Sequence, residues 1–229
     1  MGLLIKVKGK SIAEIRQYLE FAVESVVEGK IIGFPTDSVY GLGGDPQNLG
    51  VINKLFDIKF RDRSKGLLLL VSDIEEAKKV AEFNSLADTL AEHFWPGQLT
   101  LILPKKEPNM IPPELTAFKS TIGVRIPNNE IILEILKMLK EKAGFGGLIG
   151  TSANYAGEPP SVSGDEVAKK FLSPIDLIID GGKSPSKKAS TIIDCSIEKT
   201  KILRVGAITE EEIFELFSHE GINLEGVGD

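Results

Sequence analysis

Short apolar runs alternate with amphipathic stretches along most of the 229-residue chain, and this alternation limits the folds that it can adopt. Residues 11–29 carry apolar side chains at helical spacing, and Ser11 with Glu14 forms a capping-box pattern at their start. Apolar runs of strand length lie at 30–34, 66–71, 99–104, 120–127, 146–150, 175–180, 190–194 and 201–205. Interleaved strands and helices predict an α/β or α+β fold with a twisted mixed sheet flanked by helices.

Helical patterns occupy most of the segments between these strands. They predict helices from Asp45-Pro46 to about residue 58, over 73–82 and 85–93, from 128 or 129 to about 142, after Ser163, and over 209–219. No internal repeat, low-complexity tract or long linker interrupts the pattern. The sequence therefore predicts a single domain over residues 1–229, with its core at about 12–210 and a loose tail at 220–229.

The composition excludes several classes of protein. With 27 basic and 33 acidic residues the formal charge is −6, which argues against a broad, nonspecific nucleic-acid surface. A single cysteine, Cys195, excludes an internal disulfide, and with only two histidines the chain has no pattern of a structural zinc site. No apolar run reaches membrane-spanning length and no signal-peptide pattern opens the chain, so we expect a cytoplasmic protein without a membrane association.

The stretch "IIGFPTDSVYGLGGD" at 31–45 collects hydroxyls, a carboxylate and an aromatic ring at the end of a predicted strand. Such side chains at a strand's carboxyl end are typical of a ligand site. The glycines at 41, 43 and 44 are equally typical of a tight connection from strand to helix. They do not form a dinucleotide fingerprint, because Pro46 occupies the position where that motif needs Gly or Ala. These residues alone leave both interpretations open.

The segment "IKFRDRSKG" at 58–66 concentrates four cations, Lys59, Arg61, Arg63 and Lys65, in an acidic protein. In an extended segment this alternate spacing places all four side chains on one side, where they can hold a polyphosphate. The same run also suits a solvated helix end, where cations complement the helix dipole. Both interpretations stay open.

Two further segments contain polar residues at strand positions. Arg125 lies inside the strand "TIGVRIP", so it must pair either with an internal acid or with a substrate carboxylate. The segment "GTSAN" at 150–154 lacks the Gly-x-Ser-x-Gly elbow, which argues against a nucleophilic serine. Ser152 and Asn154 are therefore expected to donate and accept hydrogen bonds to a ligand, or to form a simple turn.

Taken together, the motifs resemble those of the YrdC-domain family of threonylcarbamoyl-AMP synthases, in its short form. The resemblance rests on "FPTDSVYGLGGD", "KFR" followed by "KGLLLLV", "WPGQLTLIL", "TIGVRIP", "TSAN", "STIID" and "LRVGAIT", over about residues 12–210. It implies a mixed sheet that encloses one deep, basic cavity. It also implies a reaction in which L-threonine, bicarbonate and ATP give threonylcarbamoyl-AMP and pyrophosphate, toward the N6-threonylcarbamoyladenosine (t6A) modification of tRNA.

The resemblance also implies roles for individual residues. Residues expected to bind L-threonine are Thr36, Tyr40, Arg125, Gly150 and Ser190. Residues expected to bind ATP are Lys59, Arg61, Arg63, Lys65, Thr121, Ser152, Asn154, Ser161 and Arg204. Among these, catalysis is expected from Lys59, Arg61, Ser152 and Asn154, through positioning and electrostatics without a general base. Mg²⁺ is expected to accompany ATP, with no dedicated protein ligand.

The resemblance leaves partners and alternatives to be tested. Short-form members are expected to pass their unstable product to partner proteins that complete the t6A modification. An alternative is a module that binds double-stranded RNA or tRNA, and another is a diverged paralogue without synthase activity. The chain also departs from the common pattern in three places: Lys65-Gly66-Leu67 replaces Asn-Pro-Leu, Gln98 replaces a proline, and Gly150-Thr151 replaces Ala-Pro.

Overall fold

The computed structural model describes residues 2–197 and 200–219. Strands in this part of the chain are β1 (Leu3–Lys6), β2 (Ile32–Phe34), β3 (Gly41–Gly43), β4 (Leu68–Val71), β5 (Leu99–Pro104), β6 (Thr121–Arg125), β7 (Gly147–Ile149), β8 (Thr151–Ser152), β9 (Leu177–Asp180), β10 (Thr191–Asp194) and β11 (Lys201–Arg204). The helices are α1 (Ile12–Val27), α2 (Leu49–Lys59), α3 (Ile74–Val80), α4 (Ser85–Phe94), α5 (Glu130–Ala143), α6 (Gly164–Lys170) and α7 (Glu210–His219).

The strands form two mixed sheets. The five-stranded sheet has the order β1-β9-β2-β3-β8, and the six-stranded sheet has the order β11-β10-β5-β6-β4-β7. Each sheet combines parallel pairs, such as β2 with β9 and β4 with β6, with antiparallel pairs, such as β2 with β3 and β5 with β6. The predicted mixed α/β architecture is confirmed, and its strands divide between two sheets.

The two sheets meet where the chain passes from β7 directly into β8. The single residue between these strands is Gly150, whose N–H donates to the Leu68 carbonyl across 2.9 Å. A Cβ at this position would lie 2.4 Å from Leu70 Cγ, so only glycine fits without displacing the Leu70 side chain. The crossing brings the ends of strands from both sheets together, and the candidate site lies at this junction.

Helices cover the sheets with apolar faces that the sequence pattern predicts. Helix α1 begins at the capping box of Ser11 and Glu14, and its buried residues include Ile15, Leu19 and Val23. These side chains belong to the same core cluster as residues of α5 and of strands β2 and β9. Burying this shared face stabilises the helices, whose isolated sequences would be marginal in water.

Several boundaries differ from the sequence-based predictions. Helix α2 begins at Leu49 behind an Asn48 cap rather than at Asp45-Pro46, because Asp45 Oδ1 accepts from the Gln47 N–H in a local turn. Strands β1 and β3 were not predicted. Strand β3 consists of Gly41-Leu42-Gly43, a composition that disfavours strands in general. Glycine is required there because a Cβ on Gly43 would lie 1.8 Å from the Ile149 carbonyl oxygen.

The predicted loose tail at 220–229 lies outside the described residues. Among the helices of the described part, none is long and apolar enough to cross a membrane.

Candidate active site

A cavity opens at the junction of the two sheets. Segments far apart in the sequence form its wall: the turn after β2, the residue Arg61 after α2, the end of β6, the β7–β8 junction, and the region around β10 and β11. Its lining residues are Phe34, Thr36, Ser38, Val39, Tyr40, Gly41, Arg61, Leu68, Leu70, Arg125, Gly150, Thr151, Ser152, Ala189, Ser190, Ile192 and Arg204.

The turn after β2 is held by its own hydroxyls. Thr36 Oγ1 donates to the Val39 carbonyl at 2.7 Å and accepts from the Ser38 N–H at 3.0 Å. Tyr40 lines the cavity, but its hydroxyl lies 2.9 Å from Asp180 Oδ1 and 2.7 Å from the Gly182 carbonyl. Burial raises the pKa of this hydroxyl, and the Asp180 carboxylate adds to the effect. Through these two hydrogen bonds, the Tyr40 hydroxyl holds this part of the cavity wall in place.

Arg125 is the last residue of β6, and its side chain is buried with one face on the cavity. Its Nη2 donates to Asp37 Oδ1 at 2.6 Å, Nη1 to Ser38 Oγ at 2.9 Å, and Nε to the Gly97 carbonyl at 2.8 Å. Burial lowers the pKa of the guanidinium, and the Asp37 carboxylate opposes that shift. Of the two pairings that the sequence left open, the structure shows the internal acid, on the cavity wall.

Arg61 and Arg204 line the cavity, and their hydrogen bonds within the described residues go to uncharged acceptors. Arg61 donates from Nε to the Lys65 carbonyl and from Nη2 to the Gly66 carbonyl, each at 2.9 Å. Arg204 Nη2 donates to the Ser190 carbonyl at 2.8 Å. Burial lowers the pKa of Arg61, and repulsion from Arg204 lowers it further. Since no described lining residue is acidic, the cavity has a positive field that favours anions.

Lys59 occupies a different place from that predicted. It is the last residue of α2, it is 3% exposed, and its ammonium group donates to the Ser152 and Asn154 carbonyls. It does not contribute to the cavity wall. Burial lowers the pKa of Lys59 to about 7, with further lowering by Arg61 and Lys170.

Of the two interpretations left open for residues 58–66, the structure does not show the extended, one-sided strip of four cations. Helix α2 continues to Lys59, and Phe60 then adopts a left-handed conformation with φ 49°, so the segment is not extended. Arg63 turns away from the cavity and pairs with Asp57 Oδ1 at 2.7 Å. Lys65 lines a second hollow. Both hollows include Arg61 in their walls, so they are neighbours.

The remaining predicted residues divide between the two hollows and the loops that support them. Gly150, Ser152 and Ser190 line the cavity, and Thr121 lines the second hollow. Asn154 and Ser161 line neither hollow. Asn154 Nδ2 donates to the Tyr155 and Glu158 carbonyls at 2.8 Å, and Ser161 Oγ donates to the Ala153 carbonyl at 2.7 Å. In this structure these two side chains hold the loop that follows β8.

Comparison with known proteins decides the family. The family model Sua5_yciO_yrdC, described as "Telomere recombination", matches residues 24–206. The chain belongs to the Sua5/YciO/YrdC family. The threonylcarbamoyl-AMP synthase of Pyrococcus abyssi is 34% identical over 85% of this chain and 56% of its own length. A Methanocaldococcus jannaschii protein is 35% identical over 93% of this chain and 99% of its own length.

Solved structures of the family show the same fold. The crystal structure of P. abyssi Sua5 complexed with L-threonine has a TM-score of 0.82 and 32% identity, covering 94% of this chain and 60% of that chain. This chain thus spans little more than half the length of the P. abyssi protein. The coverage of the M. jannaschii relative shows that family members of this length also exist.

Two residues with hydroxyl groups on the cavity wall of this Sua5/YciO/YrdC member were not among the predicted site residues. Ser38 accepts from Arg125, and Thr151 belongs to the cavity wall. Ser38 stands between the predicted residues Thr36 and Tyr40, so its position in the motif was a usable signal. Thr151 gave no signal, because its role depends on the crossing between the two sheets.

Among the described residues, no group of three or more His, Cys, Asp or Glu side chains could hold a metal ion. The side chains that line the cavity offer only hydroxyl oxygens as ligands, whereas Mg²⁺ sites in proteins usually include one or two carboxylates.

Proposed function

We propose that this protein is an L-threonylcarbamoyladenylate synthase, which converts L-threonine, bicarbonate and ATP into threonylcarbamoyl-AMP and pyrophosphate. The observation that carries the proposal is one cavity in which Arg61, Arg125 and Arg204 converge with hydroxyl groups and without a lining acid. All the reactants but threonine are anions, and threonine has a carboxylate. Relatives from P. abyssi and Bacillus subtilis with the name threonylcarbamoyl-AMP synthase support it.

Threonine would bind at the Arg125 end of the cavity. With Nε, Nη1 and Nη2 each donating one hydrogen bond to the protein, one N–H remains on each terminal nitrogen for a carboxylate. The hydroxyls of Thr36, Ser38 and Ser190 lie on the same wall and can bind the amino acid's polar groups. Gly150 lets the backbone approach the ligand closely.

The nucleotide would bind where the cavity meets the second hollow. Arg61 belongs to both walls, and Arg204 and Ser152 line the cavity side. Lys65 and Thr121 line the second hollow, so they can contact the part of the nucleotide that extends beyond Arg61. Lys59 and Asn154 would act by holding the loop that contains Ser152, and Arg63 takes no part.

The chemistry needs positioned cations more than a proton-transfer group. The threonine amine and bicarbonate give a carbamate and water, and a carbamate oxygen then attacks the α-phosphorus. The bond from that phosphorus to the bridging oxygen breaks, and pyrophosphate leaves with its electron pair. Negative charge on the phosphate and the leaving group increases in this step, and Arg61 and Arg204 can stabilise it from fixed positions. Magnesium would enter with ATP as part of the substrate.

The proposal is tested by measuring pyrophosphate release by the purified protein. Release should require L-threonine, bicarbonate and ATP together, and omission of any one should abolish it. D-threonine serves as a matched control with the same charges. No threonine-dependent release, under conditions in which a known synthase is active, contradicts the proposal. Cytoplasmic location, tRNA as the final acceptor of the threonylcarbamoyl group and partner proteins that complete the transfer remain parts of the same proposal.

A further inference from the structure

We propose that Asp37 is a positioning residue that sets the orientation of Arg125 toward the carboxylate of the amino-acid substrate. The inference rests on the proposed function, since it concerns how the cavity holds threonine. It assigns to Asp37 no contact with the reacting atoms. Arg125 lies on the cavity wall, and Asp37 is buried beside it without lining the cavity.

The guanidinium of Arg125 is held from three sides. Asp37 Oδ1 accepts from Nη2 at 2.6 Å, Ser38 Oγ from Nη1 at 2.9 Å, and the Gly97 carbonyl from Nε at 2.8 Å. Asp37 supplies the only charged acceptor among the described residues that bond to Arg125, and charge-assisted hydrogen bonds are roughly twice as strong as neutral ones. Asp37 therefore determines the plane of the guanidinium more than either neutral acceptor does.

The carboxylate of Asp37 is not arranged as an ion pair that serves stability alone. Its Oδ2 is buried and has no hydrogen-bond partner among the described residues. A buried carboxylate that stabilises a fold normally has hydrogen bonds to both oxygens, because an unpaired oxygen costs desolvation energy. In Asp37, Oδ2 is left unpaired at a cost in desolvation energy, while Oδ1 accepts from Arg125 on the cavity wall. This arrangement indicates that Asp37 serves the orientation of Arg125 and not stability alone.

Asp37 is itself linked through Gln98 to the start of β10, beside the cavity. Gln98 Nε2 donates to the Asp37 carbonyl, and the Gln98 carbonyl accepts from the Thr191 N–H at 3.0 Å. Gln98 thus links the turn after β2 to the start of β10, next to Ser190. A proline at this position would have no side-chain donor, so this link depends on Gln98.

A double-mutant cycle tests whether Asp37 acts through Arg125. We would compare wild type, Asp37→Asn, Arg125→Lys and the double variant by kcat/KM for L-threonine, with KM for ATP measured in parallel. Asn retains the shape and one acceptor of Asp but removes the charge. Asp37→Asn should lower kcat/KM for threonine by up to about 100-fold, mainly through a higher KM for threonine, because misplacement of a binding group costs about this much.

The cycle separates the possible outcomes. If Asp37 acts through Arg125, the double variant should be nearly as active as Arg125→Lys alone, since the two changes remove one interaction. Multiplied losses, or an equal rise in KM for ATP, would overturn the positioning role. A wild-type protein with no threonine-dependent activity would overturn the proposed function and this inference together. If the wild type is active and the losses of the two single variants multiply in the double variant, the inference alone is overturned and the proposed function stands.

Two further variants guard against a failure to fold. Glu24→Gln, which breaks the exposed ion pair with Lys142, is the matched control and should leave both KM values unchanged. If thermal melting shows that Asp37→Asn is unfolded, Asp37→Glu takes its place, because it keeps the charge and moves only the carboxylate that accepts from Arg125. A rise in KM for threonine but not for ATP would support the proposal that Asp37 sets the orientation of Arg125. An unchanged KM for threonine would contradict it.

Discussion

Two buried cations near the cavity, Arg125 and Lys59, are held in opposite ways. Arg125 is 5% exposed, pairs with the Asp37 carboxylate and lies on the cavity wall. Lys59 is 3% exposed, donates to two backbone carbonyls and lies off the wall. The paired guanidinium keeps its charge and presents free N–H groups to a ligand. The ammonium group has a pKa lowered to about 7, and it holds the segment that contains Ser152, another lining residue.

The largest effect should come from breaking the Arg125 pair. Arg125→Met leaves the Asp37 carboxylate buried without its partner, so the free energy of unfolding should fall by about 3–5 kcal/mol. Urea denaturation measures the change. The double variant Asp37→Asn/Arg125→Met removes both charges and should recover most of the loss. A fall of less than about 1 kcal/mol in the single variant would show that the pair is not desolvated.

The next effect concerns activity with the fold intact. Arg61→Ala should lower kcat by about 10²–10³-fold, because a fixed donor to the charge of the transition state is lost. Among the described residues, the hydrogen bonds that its side chain makes go to the Lys65 and Gly66 carbonyls, so the free energy of unfolding should change by about 1 kcal/mol. Pyrophosphate release and urea denaturation give the two quantities. An unchanged kcat would remove Arg61 from the proposed mechanism.

The pH dependence of stability tests the Lys59 side of the comparison. The folded pKa of Lys59 is about 7, below its ordinary value of 10.5, so the unfolded chain binds more protons between these values. Stability should therefore rise with pH in this range, by about 2 kcal/mol from pH 7 to pH 9. Lys59→Met should lack this rise. Equal slopes for the two proteins would contradict a lowered pKa at Lys59.

The smallest effect is expected at Arg63. Its ion pair with Asp57 has both side chains more than half exposed, so Arg63→Ala should change stability by no more than about 1 kcal/mol. The same variant should leave pyrophosphate release at the wild-type rate, and it is the matched control for Arg61→Ala. A marked loss of activity would support the sequence-based assignment of Arg63 to ATP over the placement in the structure.

The sequence predicted elements well where local signals were strong. The capping box of Ser11 and Glu14 located α1, and the largely apolar run at 99–104 located β5 with its bounds. Strand β3 could not be predicted, because its two glycines disfavour a strand unless a neighbouring backbone requires close approach. The division into two sheets also had no local signal, since it depends on the chain crossing between sheets at Gly150.

For the site, the sequence identified which residues matter better than where their side chains lie and what they contact. Arg125 was recognised as a buried cation in need of a partner, but Asp37 is 88 positions away in the chain, so spacing could not select it. The direction of Lys59 depends on α2 continuing to that residue and on the left-handed Phe60 that follows. Bulky residues rarely adopt this conformation, so no local pattern indicates it.

In the proposed function, one cavity holds the amino acid beside the triphosphate. The most direct test is a crystal structure with L-threonine and a nonhydrolysable ATP analogue. We expect the threonine carboxylate within about 3.2 Å of Arg125 and the triphosphate against Arg61, both in the cavity at the sheet junction. Ligands on separate faces of the molecule, or an Arg125 that contacts neither, would contradict the account.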